Sequence, residues 1–155
     1  MQIHLIAIGT RMPAWVNDAY SRYASRLPQE CQLKLIEISA GKRTKHANLN
    51  KICNEEGQKM LSAIPRSSQV IALEVSGKSW STEHLSTQLQ SWMQSGEPVS
   101  LLIGGPEGLS DECRQRAHQS WSLSRLTLPH PMVRVIVAEQ LYRAWSMINN
   151  HPYHR

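Results

Sequence analysis

The stretch SLLIGGPEGLS, residues 100–110, joins a continuous apolar run to a loop with three glycines. Such an apolar run is typical of a strand that is buried on both faces. The glycines permit backbone angles and close approaches that a Cβ would block, and Pro106 stiffens the turn between them. Ser110 is expected to cap a following helix, with Asp111 and Glu112 in its first turn. This order of strand, loop and helix predicts a ligand site at the carboxyl edge of an open α/β sheet.

The composition predicts one domain, 1–155, with a basic balance. Seventeen Lys and Arg against twelve Asp and Glu give a formal net charge of +5, which favours a polyanionic partner. The three cysteines have no paired metal spacing, and they indicate reduced thiols in a cytoplasmic protein. The N-terminal apolar run lacks a basic flank, and no run approaches about 18 apolar residues, so neither an export signal nor a membrane span is predicted.

Strand-like and helix-like patterns alternate along the chain, which predicts a single α/β unit. Most of the expected strands are near-continuous apolar runs, as a parallel sheet covered on both faces requires. They are placed at Ile3–Ile8, Gln32–Ile38, Gln69–Val75, Val99–Ile103 and, shorter, Leu123–Leu128. Apolar residues at helical spacing predict helices that cover the sheet, over residues 15–27, 49–61 and 85–92.

A final helix is predicted over Met132–Asn149, with two different faces. One face is apolar and is expected in the core: Val133, Ile136, Val137, Leu141, Ala144, Trp145 and Ile148. The other is a mixed stripe: Val135, Ala138, Glu139, Tyr142, Arg143 and Ser146. This stripe suits either a subunit interface or a solvated surface, and the helix alone does not decide between them.

Arginine is concentrated at the C-terminal end of the chain. From residue 114 to residue 155 there are six arginines, no lysine and a single acidic residue, Glu139. Because arginine binds phosphate through two N–H groups, this half is expected to face nucleic acid. The basic loop Gly41–His46 could clamp a nucleic-acid backbone, but its charge alone favours a mobile, solvated loop.

Several familiar catalytic motifs are absent. The loop after the first strand, Gly9–Pro13, is not G-x-G-x-x-G, and no P-loop pattern occurs. The glycine loop holds no serine or cysteine, so it is not a nucleophile elbow. His151 and His154 flank a proline without a neighbouring carboxylate, so no metal site is expected there. His130, between two prolines, fits a site wall as readily as a general base.

Together these segments closely resemble the SPOUT methyltransferases of the RlmH type. The resemblance covers the whole chain and rests on LLIGGPEG at 101–108, SWSLS at 120–124, LTLPHP at 126–131, VRV at 133–135 and EQLYRA at 139–144, with GKR at 41–43 and NHPYHR at 150–155. It implies a homodimeric enzyme that transfers methyl from S-adenosylmethionine to N3 of a pseudouridine in 23S ribosomal RNA, on assembled ribosomes. It also implies a parallel sheet with a C-terminal trefoil knot, which no sequence pattern indicates.

The same resemblance implies the site residues. The cofactor is expected to contact Leu73, Gly104 and the backbone of Leu123, Ser124, Arg125, Leu126, Thr127 and Leu128. The acceptor is an imide N–H, which becomes a good nucleophile only as its proton leaves, so a base or a stabilising cation is expected nearby. The candidates, besides His130, are Glu139, Arg143, Tyr153, His154 and Arg155.

Each of these candidates is given an expected role. Arg155 and Tyr153 are assigned to contacts with substrate phosphate or base, and His154 to proton handling or orientation. Glu139 and Arg143 are expected to fix the site. The alternative function is a non-enzymatic RNA- or ribosome-binding factor, which shares the basic surface but does not need the glycine loop. A hydrolase would need a nucleophile or metal that the sequence does not supply, and Trp121 and Trp145 are expected to pack in the core.

Overall fold

The computed structural model describes residues 1–155 as a five-stranded sheet flanked by helices. The strand order is β2-β1-β4-β3-β5, and every neighbouring pair is parallel. The strands are β1 Gln2–Ile8, β2 Gln32–Ile38, β3 Gln69–Ser79, β4 Val99–Ile103 and β5 Gln119–Ser122. The predicted α/β class and parallel sheet are confirmed. β4 is buried along its whole length, as its apolar sequence predicts.

Five α-helices connect or follow the strands. They are α1 Ala14–Ala24, α2 Leu49–Ala63, α3 Thr82–Ser95, α4 Asp111–Arg116 and α5 His130–Ile148, with a short 3-10 turn at Gln29–Cys31 and another at Pro152–His154. Ser110 caps α4, because its side chain accepts the Cys113 N–H, as predicted. α5 begins two residues earlier than predicted, since proline is tolerated in a first helical turn. None of these helices has both the length and the apolar character that crossing a bilayer demands.

The prediction of a strand at Leu123–Leu128 is wrong. The last strand is the preceding segment, Gln119–Ser122, which pairs with β3. Ser124 turns the chain after it, because its carbonyl accepts from the Ser122 hydroxyl at 2.9 Å and its own hydroxyl accepts the Leu126 N–H at 2.9 Å. Residues 123–128 therefore leave the sheet and form an irregular segment that leads to α5.

The buried arc of α5 is wider than the predicted core face, of which Val137, Leu141 and Ala144 are buried as predicted. Ala138, Tyr142 and Ser146, which were assigned to the mixed stripe, are buried within the protomer. Val133 and Ile136, which were assigned to the core, are only partly buried. The reason is that α5 packs against both α1 and α3, so a wide arc of its surface is covered. Trp121 is buried in the core, and Trp145 is partly buried and packs against it, which confirms that expectation.

Candidate functional site

A cavity of about 1020 Å³ opens beyond the carboxyl ends of β1 and β4, beside residues 73–76 of β3. Its walls are the glycine loop after β4, the segment 123–130, residues 73–76 of β3 and the loops after β1 and β2. This position is the one at which open parallel sheets bind ligands, and the volume suits a small organic molecule. A cavity therefore lies where the glycine loop predicts a ligand site.

The glycine loop presents bare backbone to this cavity. A Cβ added at Gly104 would lie 2.4 Å from the carbonyl carbon of Gly108 and 2.6 Å from the nitrogen of Leu109. Gly108 has a φ of +83°, and its N–H donates to the Gly105 carbonyl at 2.9 Å. The loop thus folds back on itself so closely that no side chain fits at residue 104.

The cavity brings together most of the residues assigned to the cofactor. Leu73, Gly104, Leu123, Ser124, Leu126, Thr127 and Leu128 all line it. Arg125 does not line it, and its side chain is exposed. Leu126 is 74% exposed although it lines the cavity, so it lies at the rim.

His130 also lines the cavity, with both ring nitrogens engaged. Arg134 Nε donates to His130 Nε2 at 2.9 Å, so Nε2 is an acceptor and the proton lies on Nδ1. Nδ1 then donates to the Gly104 carbonyl at 3.2 Å. Burial, reinforced by the positive charge of Arg134, lowers the pKa of His130. His130 is therefore a neutral wall residue without a lone pair to accept a substrate proton.

Arg134 has a role that sequence reasoning missed. The sequence pattern grouped it with the nucleic-acid arginines, but its side chain is only 1% exposed. It donates to Glu37 Oε2 at 2.7 Å and to the Gly9 carbonyl at 2.8 Å. The spacing of one helical turn between His130 and Arg134 is the signal that could have linked them.

Arg43 corrects the prediction for the basic loop Gly41–His46. Its guanidinium donates at 2.8 Å to Glu56, whose side chain is 4% exposed, and at 2.8 Å to Glu107 of the glycine loop. Both carboxylates raise the pKa of Arg43, and its hydrogen bond lowers the pKa of Glu107. Because its donors are used inside the chain, Arg43 is a clamp between two cavity walls. Only the exposed members of the loop, such as Lys42 and Lys45, are open to an external polyanion.

Another ion pair lies on the cavity wall and was also missed by sequence reasoning. Glu74, just past Leu73 in β3, pairs with Arg114 of α4 and accepts the Ser120 hydroxyl at 3.2 Å. The hydrogen bond to Glu74 raises the pKa of Arg114. The lining thus combines apolar walls with charges that are already paired, and no lysine is part of it.

The five catalytic candidates lie elsewhere in the protomer, on α5 and the turn that follows it. Tyr153 donates its hydroxyl to Glu139 Oε1 at 3.0 Å, and Arg143 Nε donates to the same oxygen at 2.9 Å. The Arg143 guanidinium also lies 5.1 Å from the centre of the Tyr153 ring. Burial and then the Glu139 carboxylate raise the pKa of Tyr153, so its phenol stays protonated at neutral pH.

His154 belongs to the same cluster but keeps one nitrogen open. Its Nδ1 lies 3.2 Å from Ser146 Oγ, whose hydroxyl already donates to the Arg143 carbonyl at 2.7 Å. The serine oxygen therefore accepts from Nδ1–H, which leaves the lone pair of Nε2 available to a proton. Arg155 is exposed, and neither it nor the other four candidates line the cavity. In one protomer the two groups of predicted site residues are thus separate.

No group of three or more His, Cys, Asp or Glu side chains is arranged to hold a metal ion. The charged groups of the site are paired with one another instead, as the Arg43 and Arg114 ion pairs show.

The comparisons with known proteins agree with this geometry. A family described as predicted SPOUT methyltransferases matches residues 1–154. The ribosomal RNA large subunit methyltransferase H of Methylococcus capsulatus is 57% identical over 155 residues and is covered, like this chain, over 100% of its length. The protein of that name from Thioalkalivibrio sulfidiphilus is 61% identical, with 100% of this chain and 99% of the relative covered.

A solved structure shares the fold. It is that of a probable methylase family protein from Haemophilus influenzae Rd KW20, with a TM-score of 0.59 at 13% identity over 99% of this chain and 70% of that one. At this identity the likeness concerns the fold alone. The family match over nearly the whole sequence, together with full-length relatives at such identity, establishes that the chain belongs to the SPOUT methyltransferase family.

Proposed function

We propose that this methyltransferase uses S-adenosylmethionine to methylate N3 of a pseudouridine in 23S ribosomal RNA. The single observation that carries the proposal is the cavity at the strand ends, whose glycine loop leaves no room for a side chain at residue 104. The names of the two relatives, both ribosomal RNA large subunit methyltransferases, support the substrate class.

The residues of the cavity fit this cofactor. An adenine and a sulfonium cation require apolar walls, backbone hydrogen-bonding groups and no adjacent lysine, and the lining has these properties. Leu73, Gly104 and residues 123–128 would hold the molecule, with Arg125 contributing its backbone only. When bound, S-adenosylmethionine supplies an electrophilic methyl group.

The cluster on α5 and the C-terminal turn supplies the remaining chemistry. His154 Nε2, with its open lone pair, takes the N3 proton of the acceptor. Tyr153, whose hydroxyl donates to Glu139, contacts the substrate base by accepting a hydrogen bond at its phenol oxygen, and Arg155 contacts phosphate. The Glu139–Arg143 ion pair holds the Tyr153 ring and hydroxyl in place. Methyl transfer also depends on holding donor and acceptor in line, which is the task of the cavity walls.

The two groups meet across a homodimer in this proposal. The cluster does not line the cavity of its own protomer, so it serves the cavity of a partner copy. Large apolar side chains are exposed close to the cavity, namely Val75 and Leu126 on its lining and Met132 in the first turn of α5. A second copy that packs there covers them and completes the site. The trefoil knot implied by the resemblance belongs to the same proposal.

The substrate is the assembled ribosome, in the cytoplasm. A formal charge of +5 on a chain of this size supports few phosphate contacts, and Arg43 is removed from the available set by its ion pairs. Recognition therefore depends on a large preformed surface rather than on a short free RNA. Lys42 and Lys45 are exposed and are the loop residues that would contact it.

Complementation between two inactive variants tests the proposal. Gly104→Val disables the cavity, and His154→Ala removes the base while Tyr153 and Arg155 remain. Each homodimer should be inactive on ribosomes, whereas a mixed dimer contains one cavity with an intact partner tail and should regain activity. Purified mixed dimers that stay silent would place the tail on its own protomer. Wild-type protein that binds no S-adenosylmethionine in calorimetry would reject the cofactor and favour a non-enzymatic ribosome-binding factor.

A further inference from the structure

One buried guanidinium links the ends of three neighbouring strands. Arg134 donates to Glu37 in β2, to the carbonyl of Gly9 after β1, and to His130 at the start of α5. His130 extends the link to the carbonyl of Gly104 after β4. Because β2, β1 and β4 are adjacent in the sheet, this chain of hydrogen bonds fixes the relative positions of the loops on one side of the cavity.

Packing alone does not explain this arrangement. A buried charge carries a large desolvation cost, and an apolar side chain of similar size fills the same space without it. Arg134 meets a single carboxylate, Glu37, and its other two hydrogen bonds go to neutral acceptors. The directional bonds, rather than the buried volume, are what an apolar residue at this position could not supply.

The direction of these bonds determines what His130 can do. Arg134 presents an N–H to Nε2, so the imidazole is restricted to the tautomer with its proton on Nδ1. A flipped ring would direct a C–H at the guanidinium and lose the bond to Gly104. The hydrogen bond from His130 thereby holds the Gly104 carbonyl at the residue where an added Cβ would meet the backbone of Gly108 and Leu109.

We propose that Arg134 and His130 are positioning residues that hold the Gly104 carbonyl in the orientation needed for cofactor binding. Arg134 acts by setting the tautomer and rotation of His130, and His130 acts through its hydrogen bond to Gly104. This inference rests on the proposed role of the cavity as the S-adenosylmethionine site.

Two substitutions by amide residues separate the two hydrogen bonds of His130. In His130→Asn the amide nitrogen can replace Nδ1 and donate to Gly104, while the acceptor for Arg134 is lost. In His130→Gln the amide oxygen can replace Nε2 and accept from Arg134, while the donor to Gly104 is lost. The matched control is His118→Gln, because His118 Nδ1 accepts the Val70 N–H at 2.9 Å and does not line the cavity.

The measurements are the affinity for S-adenosylmethionine and for S-adenosylhomocysteine by calorimetry, and the thermal midpoint of each variant. His130→Asn should bind within about threefold of wild type, and His130→Gln should bind at least about tenfold more weakly, although both lose a similar amount of stability. His118→Gln should lose stability and keep wild-type affinity.

Three results would overturn the inference. They are equal affinities in both His130 variants, a better affinity in His130→Gln than in His130→Asn, and a loss of affinity in the control that follows stability. Failure of the wild-type protein to bind either compound is a different result, because it would reject the cofactor site itself.

Discussion

Replacing Gly104 by alanine should abolish the fit between the glycine loop and its ligand. The added Cβ meets three backbone atoms of Gly108 and Leu109 at 2.4 to 2.6 Å, where ordinary contact begins at 3.4 Å. Backbone atoms cannot rotate away as a side chain can, so either residue 104 or the segment Gly108–Leu109 must move by about 1 Å. Overpacking of this kind costs about 1 to 3 kcal/mol of folding free energy.

Gly96 provides a control, because its replacement by alanine costs a similar folding free energy at a position away from the cavity. Gly96 follows α3 and precedes the amino end of β4, whereas Gly104 follows the carboxyl end of that strand. Gly96 has a φ of +73° and no atom within 4 Å of an added Cβ. Gly96→Ala therefore introduces backbone strain of about 1 to 2 kcal/mol without a clash. Both variants should melt a few degrees below wild type, at about 2 to 4 °C per kcal/mol.

Calorimetry with S-adenosylmethionine then separates a general loss of stability from a specific loss of ligand affinity. Gly104→Ala should bind at least about tenfold more weakly, since a loss of about 1.4 kcal/mol already has that effect. Gly96→Ala should bind like the wild type. The reasoning is refuted if Gly104→Ala keeps wild-type affinity, or if Gly96→Ala loses as much affinity as Gly104→Ala does.

Three further predictions concern the ion pairs, the buried histidine and the dimer. Arg43→Met leaves a buried carboxylate without its partner and should lower the free energy of unfolding in urea by about 3 kcal/mol at neutral pH. Because Arg43 lowers the pKa of Glu107, that part of the difference should disappear as the pH falls through the folded-state pKa of Glu107, and a constant gap would contradict it. Burial lowers the pKa of His130, so this residue stays neutral in the folded protein while the unfolded chain takes up a proton below about pH 6.5. The stability of the wild type should therefore fall below that pH. In a pH series of melting curves, His130→Asn should show a shallower fall. Met132→Glu should sediment as a monomer, and a stable dimer of this variant would exclude the first turn of α5 from the interface.

The fold was predictable where local patterns are strong. β1, β2 and β4 end where the apolar runs end, and Ser110 caps α4 because its neighbours form a standard first turn. The strand prediction for Leu123–Leu128 is wrong because leucines spaced among polar residues line a cavity as readily as they form a strand. The side-chain hydrogen bonds of Ser122 and Ser124 turn the chain out of the sheet, and periodicity does not record them.

The site was predictable in part for a similar reason. The glycine loop can be recognised from residue types alone, since only glycine fits at residue 104. The clamp around Arg43 and the link from Arg134 join residues that are 64 and 97 positions apart. No spacing rule connects such distant residues, so their charges were assigned to an outer surface. The fold, rather than the local sequence, places these arginines among carboxylates.

The length of α5 explains why one protomer does not bring its two groups of site residues together. His130 lies in the first turn at the cavity, and Arg143 lies thirteen residues further along the same helix. At about 1.5 Å per residue this separates them by about 20 Å along a continuous rod. The C-terminal turn folds back onto α5 and packs against Tyr142, so it stays at the far end. In the homodimer proposed above, a two-fold interface with antiparallel α5 helices would place the last turns of one copy beside the first turn of the other. The helix that separates the two groups in one chain would then bring them together across two chains.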